Sequence, residues 1–289
     1  METAAKPPAA LYFVVLLLLA GGGIIMYGIR GLTADITPVS SPRFSPKAAA
    51  TSGSSPVSET TAALRAAISS NDVPALRALK VDLNAQYQLL ETGRRGMTPL
   101  TFAAIQPTSD MVRALLAAGA KPDLPSEAGI TPLMMAAARS DTSTLDTLLK
   151  AGAPHDPQDK WGETALMKAA HSGSVEKVRL LLAAGASPKP ADNDGNTALI
   201  WAASLGGTVE SLQALIDAKS DLDAPNKAGV TALMRAAETG DAAKVMILLN
   251  AGARAALKDA DGRTAADWAT MRSDEPGRRC AEILSHAGN

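Results

Sequence analysis

From Thr61 onward the apolar residues of this chain follow a helical rhythm, broken at regular intervals by a glycine and a polar stretch. Gly96, Gly129, Gly162, Gly195, Gly229 and Gly262 are separated by 33, 33, 33, 34 and 33 residues. Each opens a similar phrase. Gly96-Met97-Thr98-Pro99-Leu100 returns as Gly129-Ile130-Thr131-Pro132-Leu133, then as Gly162-Glu163-Thr164-Ala165-Leu166, Gly195-Asn196-Thr197-Ala198-Leu199 and Gly229-Val230-Thr231-Ala232-Leu233. A pair of alanines follows each time, from Ala103-Ala104 to Ala236-Ala237. Units close alike, as in Leu115-Leu116-Ala117-Ala118-Gly119-Ala120 and Leu248-Leu249-Asn250-Ala251-Gly252-Ala253.

Elementary chemistry assigns structure to this phrase. Thr98, Thr131, Thr164, Thr197, Thr231 and Thr264 each precede an apolar helical pattern, the position of an N-cap. Pro99 and Pro132 then occupy the first helical residue, where a missing N–H costs nothing. Paired alanines let neighbouring helices approach closely. Gly173, Gly206 and Gly240 end this first helix in a tight turn. A second helix follows, for example Val175 to Ala184, with Val178, Leu181 and Leu182 expected to be buried between neighbours. Gly185-Ala186 suits a left-handed C-cap. A polar, hairpin-like finger leads to the next glycine. One such unit cannot bury its own apolar face, but a stack can, so the pattern predicts an all-α repeat solenoid of helix-turn-helix units and fingers.

The 33-residue period and the T-P-L…A-A…G…L-L…G-A skeleton resemble the ankyrin-repeat family over about 80% of the chain. Six registers agree, starting near 96, 129, 162, 195, 229 and 262. A degenerate N-terminal cap covers 61–95, with Leu64 and Leu76 keeping the spacing and a long finger from Gln86 to Arg95. The charged last unit, 262–289, is expected to be the C-terminal cap. Three departures stand out. The family often has His after T-P-L; Thr101, Met134, Met167, Ile200 and Met234 stand there instead, so the inter-repeat bonds of such a His are absent. Lys219 replaces a closing glycine and is expected to strain its turn. Gly206-Gly207 carries the extra residue of the 34-residue repeat.

Ahead of the repeats, Ala9 to Ile29 contains no charged residue. As a helix it would span roughly 31 Å, close to a bilayer's hydrocarbon thickness. Tyr12 and Tyr27 lie near its ends, where interfacial aromatics are favoured, and Gly21 to Gly23 are tolerated in a membrane. The reading is a short tail (1–8), a transmembrane anchor (9–29), a disordered Ser/Thr/Pro-rich linker (30–60) and the repeat domain (61–289). A cleaved signal peptide is the competing reading; the apolar stretch is long for one and no A-x-A site follows. Lys6 before the span and Arg30, Arg43 and Lys47 after it favour a cytoplasmic repeat domain. One early span followed by a long domain favours export. The expectation is a bacterial inner-membrane protein with its repeats in the periplasm.

Composition narrows the chemistry. Aromatics are 3% of the chain against 46% apolar residues overall, so the core is built from Ala, Leu, Val and Met. A net charge of −1 gives no long-range field toward nucleic acid. Cys280 is the one cysteine, which excludes CxxC metal sites and intrachain disulfides. His155, His171 and His286 fall in three different repeats with no HExxH, and neither GxxxxGK[ST] nor GxSxG occurs. Asp192, Asp194, Asp221 and Asp223 match no EF-hand loop and are read as solvated turn residues. No enzyme activity, cofactor, metal or small-molecule substrate is expected.

The family resemblance implies protein binding through finger tips and the concave face of the first helices. Carried onto this chain, the tips hold Arg94, Arg95, Glu127, Lys160, Trp161, Asn193, Asp194, Lys227 and Asp261. The positions before each alanine pair hold Phe102, Met135, Lys168, Trp201, Arg235 and, in the cap, Trp268. Positions just after the pair hold Ile105, Ala138, His171, Ser204 and Glu238. The candidate partner-binding set is Trp161, Lys168, Trp201, Arg235, Lys160, Asn193, Met135 and Phe102. Trp161 has no clear core role on a polar finger, and Trp is a frequent interface hot spot; Trp268 is read as cap core. The expected function is a membrane-tethered, non-catalytic scaffold for a protein partner. The alternative is a soluble exported module that protects or regulates a partner enzyme.

Overall fold

The computed structural model describes residues 56–89, 96–139 and 141–287. These form fourteen helices in seven antiparallel pairs. The first helices are α1 (Pro56–Ser69), α3 (Pro99–Ala103), α5 (Pro132–Ala138), α7 (Ala165–His171), α9 (Ala198–Ala203), α11 (Ala232–Thr239) and α13 (Ala265–Thr270). The second are α2 (Val73–Ala78), α4 (Asp110–Ala117), α6 (Thr142–Lys150), α8 (Val175–Ala183), α10 (Val209–Asp217), α12 (Ala242–Asn250) and α14 (Glu275–Ala287). First helices pack on first helices of the neighbouring pairs and second on second, so the core is one continuous sheath between two helical layers. Among the described residues there are no strands, only isolated bridges at Tyr87–Met97 and Ala191–Thr197.

The repeated phrase folds as its chemistry dictates. Each of the six threonines caps a first helix by accepting the backbone N–H three residues on. At the position where the family often has His, Met134 and Met167 turn their sulfurs back to accept the N–H of Thr131 and Thr164, at 3.4 and 3.5 Å. The cap is thereby closed within one repeat. The leucine of each phrase and the alanine pair are buried; Leu100, Leu133, Ala136, Ala137, Ala202 and Ala203 are all at zero exposure.

Successive pairs are tied at the turn between their helices. Lys177 Nζ donates to Ala137 O (3.2 Å), Thr208 Oγ1 to Gly173 O (3.2 Å), Lys244 Nζ to Ser204 O (2.7 Å) and Arg272 Nη1 to Glu238 O (3.2 Å). In each case a later repeat satisfies a carbonyl that the end of the preceding first helix leaves open. Lys177 and Lys244 are buried, and loss of water holds both ammonium pKa values below the ordinary lysine value, though Asp141 and Asp241 pull the other way.

Several expectations are corrected. Leu182 is half-buried, whereas Leu181 is fully buried with Val178, because one helical step turns the next side chain about 100° away from the core seam. α1 begins at Pro56, inside the segment expected to be linker. Gly206 does not adopt positive φ, unlike Gly173 and Gly240; the extra residue of its repeat spreads that turn over more positions. Lys219 does sit in the left-handed region, at φ 61°. The apolar stretch 9–29 lies outside the described residues, among which no helix is long and apolar enough to cross a membrane.

Candidate interaction surface

Five fingers line up along one edge of the stack. A polar residue three positions before each finger glycine folds the turn. Asp159 accepts the N–H of Trp161 and Glu163, Asp192 those of Asp194 and Asn196, Asn226 those of Ala228 and Val230, and Asp259 those of Asp261 and Arg263, all at 2.8–3.0 Å. Ser126 does the same for Ile130 at 3.2 Å. Neighbouring fingers are then bonded backbone to backbone. Glu127 N donates to Gly96 O, Lys160 N to Ala128 O, Asn193 N to Trp161 O, Lys227 N to Asp194 O and Ala260 N to Ala228 O, at 2.8–3.1 Å. Gly162 shows why glycine is needed here. Its φ is +78°, and a Cβ would lie 2.8 Å from the Asn193 nitrogen of the next finger. The finger row is a ladder held in place before any partner arrives.

Behind each finger, nine residues on, stands the candidate side chain of the first helix. Where the finger residue is Asp, that side chain brings a nitrogen beside its second oxygen, as an ion pair for Lys and as a hydrogen bond for Trp. Lys168 Nζ lies 2.9 Å from Asp159 Oδ2, Trp201 Nε1 donates to Asp192 Oδ2 at 3.0 Å, and Trp268 Nε1 to Asp259 Oδ2 at 2.9 Å. Where it is Ser or Asn, the pairing does not form. Met135 turns inward behind Ser126, and Arg235 behind Asn226 pairs with Glu238 instead. Lys168 is also bonded to Glu163. Burial would raise the Asp259 carboxyl, but the bonds from Arg263 and Trp268 outweigh it and hold it below the usual carboxylate range.

The candidate residues therefore separate. Phe102 and Met135, each 5% exposed, belong to the core and offer no docking surface; an apolar side chain with no acid to satisfy gains by turning inward. Lys168 and Arg235 keep part of their surface but are internally paired. Trp201 is half-buried, with the His171 ring edge-on at 4.9 Å. Trp161 is 45% exposed, with the Lys160 ammonium 4.4 Å from its ring centroid. Asn193 bonds Lys160 O through its side chain and remains exposed. Trp268 is buried in the cap under Arg263. Arg94 and Arg95 lie outside the described residues.

Asp192, read from sequence as a solvated turn residue, is buried instead and seats both its turn and Trp201. Leu205, 87% exposed in the turn after α9, is absent from the sequence-based set; the extra residue beside Gly206-Gly207 was the signal that could have found it. Among the described residues no group of three or more His, Cys, Asp or Glu side chains is arranged to hold a metal.

A family model described as "Ankyrin repeats (3 copies)" matches residues 63–156, 133–226 and 205–289. The chain is similar to the ankyrin repeat domain of Bcl-3, whose crystal structure is described as that of a unique member of the IkappaB protein family. The identity is 28% and the TM-score 0.62, covering 77% of this chain and 97% of that one. Among curated proteins nothing matches.

Proposed function

The chain belongs to the ankyrin-repeat family, and from that premise we propose that it is a non-catalytic scaffold that binds a protein partner across its middle repeats. Ankyrin repeats generally mediate protein–protein interaction. The observation that carries the reading for this chain is Trp161. A large indole stands 45% exposed on a finger whose backbone is bonded to the finger on either side. A rigid, half-open Trp loses little conformational freedom on binding and is a frequent interface hot spot. Lys160 and Asn193 flank it, and Trp201 lies behind the next finger. Together they give an aromatic centre with a polar rim.

The apolar stretch 9–29 supports a membrane tether, and the long domain that follows one early span supports export of the repeats to the periplasmic side of a bacterial inner membrane. Phosphatase and fluorescent-protein fusions after Asn289 test the orientation; a fluorescent, phosphatase-inactive fusion reverses it. Intact mass of the mature protein distinguishes the anchored form from one released by signal cleavage. For binding, Trp161→Ala should weaken partner recovery from membrane extracts by about 2 kcal/mol while leaving Tm nearly unchanged. Loss of both binding and stability would make Trp161 a structural residue. Unchanged binding would move the site elsewhere on the stack.

A further inference from the structure

The tips of neighbouring fingers join into one crest. In each finger the glycine N–H closes the turn on the residue three before it, Gly162 on Asp159, Gly195 on Asp192 and Gly229 on Asn226, at 2.8–2.9 Å. Two residues stand at each tip, Lys160-Trp161, Asn193-Asp194 and Lys227-Ala228, and all of them are exposed. Backbone bonds link one tip to the next, Asn193 N to Trp161 O and Lys227 N to Asp194 O. The crest therefore runs Lys160, Trp161, Asn193, Asp194, Lys227, Ala228, each residue joined to the next by a peptide bond or a hydrogen bond.

The two lysines of this crest differ in their surroundings. Lys227 follows Asp194 directly, about 5 Å away between Cα atoms across the hydrogen bond, so a carboxylate stands beside its charge. Lys160 has no such neighbour. On one side its N–H is bonded to Ala128 of the preceding finger, and on the other stand Trp161 and Asn193. The two acids of its own finger, Asp159 and Glu163, are both held by Lys168. Among the described residues Lys160 enters no ion pair, and its ammonium lies 4.4 Å from the centroid of the Trp161 ring. The Asn193 side chain fixes the backbone beneath it, donating to Lys160 O at 2.9 Å. A cation that rests on an indole is partly ordered already, so it loses less freedom when an anion reaches it. The flanking charges select the anion. A line of phosphates following the crest would run into the exposed carboxylates of Asp194 on one side and Glu127 on the other. A single carboxylate on a protein surface can meet Lys160 alone, while an apolar side chain next to it covers the open part of the Trp161 ring.

We propose that Lys160 receives a carboxylate of the partner, and that the protein segment seated on Trp161 carries an acidic side chain beside its apolar one. This rests on the reading of Trp161 as a binding residue. The test treats membrane extracts holding the full chain with a carbodiimide, which joins a lysine amine to a carboxylate in direct contact. The expected result is an amide between Lys160 and an Asp or Glu of the protein whose recovery depends on Trp161, with an apolar residue within one helical turn of the linked site. Lys160→Glu should lower recovery of that protein about tenfold without lowering Tm. Lys227→Glu, the same change of charge two fingers along, should leave recovery unchanged. Changing the linked carboxylate of the partner to Lys should restore recovery by Lys160→Glu. Should Lys160→Glu lower Tm, Lys160→Gln is read in its place, with the same loss of recovery expected. Undiminished recovery with the Lys160 variants, equal losses for the changes at 160 and 227, links from Lys160 only to a second copy, or recovery abolished by nuclease would each overturn the inference. A continued loss with Trp161→Ala would in those cases leave the Trp161 reading standing. Recovery indifferent to Trp161→Ala would remove both readings.

Discussion

The repeats starting at 129 and at 195 share a backbone plan but treat the same helix position in opposite ways. In the first, the finger residue is Ser126 and the side chain nine residues on, Met135, is sealed into the core. In the second, the finger residue is Asp192, its carboxylate accepts the Trp201 indole N–H, and the ring is half-buried. The repeat at 162 repeats the second arrangement with Asp159 and Lys168, and the C-terminal cap with Asp259 and Trp268. Where the finger residue is Asp, the helix behind it brings a Lys or Trp nitrogen to the carboxylate; where it is Ser, a buried Met stands there. A buried carboxylate must be satisfied, and the nearest side chain that can donate is drawn to it.

Four measurements test this contrast. The largest effect is a control on the core, which should not distinguish the two regions. Leu148→Ala and Leu181→Ala remove fully buried leucines at the same helix position in neighbouring repeats, and each should cost about 2–5 kcal/mol. Denaturant unfolding checks this, and a large difference between the two would place the contrast in the core rather than in the fingers. Next comes the finger residue itself. Asp192→Ala strands two backbone N–H groups and the Trp201 indole, so a loss of about 2–3 kcal/mol is expected, against about 1 kcal/mol for Ser126→Ala. Equal losses would show that the carboxylate does not organise its repeat.

A smaller effect comes from the turn before the finger of repeat 229. Lys219 adopts φ 61°, where the equivalent Gly152 has φ 79° at no steric cost. Lys219→Gly should therefore raise stability by about 0.5–1 kcal/mol despite the added freedom of the unfolded chain, read as a higher Tm. A lower Tm would show that the lysine makes a contact worth more than the strain.

The smallest expected effect is on pH dependence. His171 keeps open surface, but its ring packs on Trp201 and Gly206, and the loss of water there holds its pKa below the ordinary imidazole value, even though Glu163 pulls it upward. As pH falls through about 6.5, the unfolded chain takes up this proton before the folded chain does. Stability therefore falls with pH until the folded pKa is passed. Between pH 8 and 5, Tm should drop further for the native protein than for His171→Gln. The equivalent residue of repeat 129 is Ala138, which carries no such titration. Superimposable curves would show that the His171 ring is not desolvated by Trp201.

Much of this was legible from the chain alone, because repeat period, caps and buried leucines depend on residues close in sequence. Thr98 through Thr264 could be assigned as caps from the residue that follows each of them. Six registers averaged away the ambiguity of any one. The site was legible only in part. Trp161 on a polar finger was conspicuous in a chain so poor in aromatics. The burial of Phe102 and Met135 was not, since the position before the alanine pair looks alike in every repeat and only the packing shows which of these side chains turn inward. The spacing from Asp to its donor was present in the sequence as Asp159–Lys168, Asp192–Trp201 and Asp259–Trp268, but nothing local marks a nine-residue interval as a contact.

The period, the helix starts, the all-helical class and the unusual conformation at Lys219 each follow from backbone preferences within a few residues of the chain. Tertiary structure alone decided which of two adjacent leucines, Leu181 or Leu182, faces the core, and which finger carboxylates are consumed inside the protein. It also decided that Leu205 stands in water. The first two depend on how one repeat's side chains meet the next. The last follows from where α9 ends, since Leu205 takes the helix-end position that the exposed Ser172 holds in the preceding repeat.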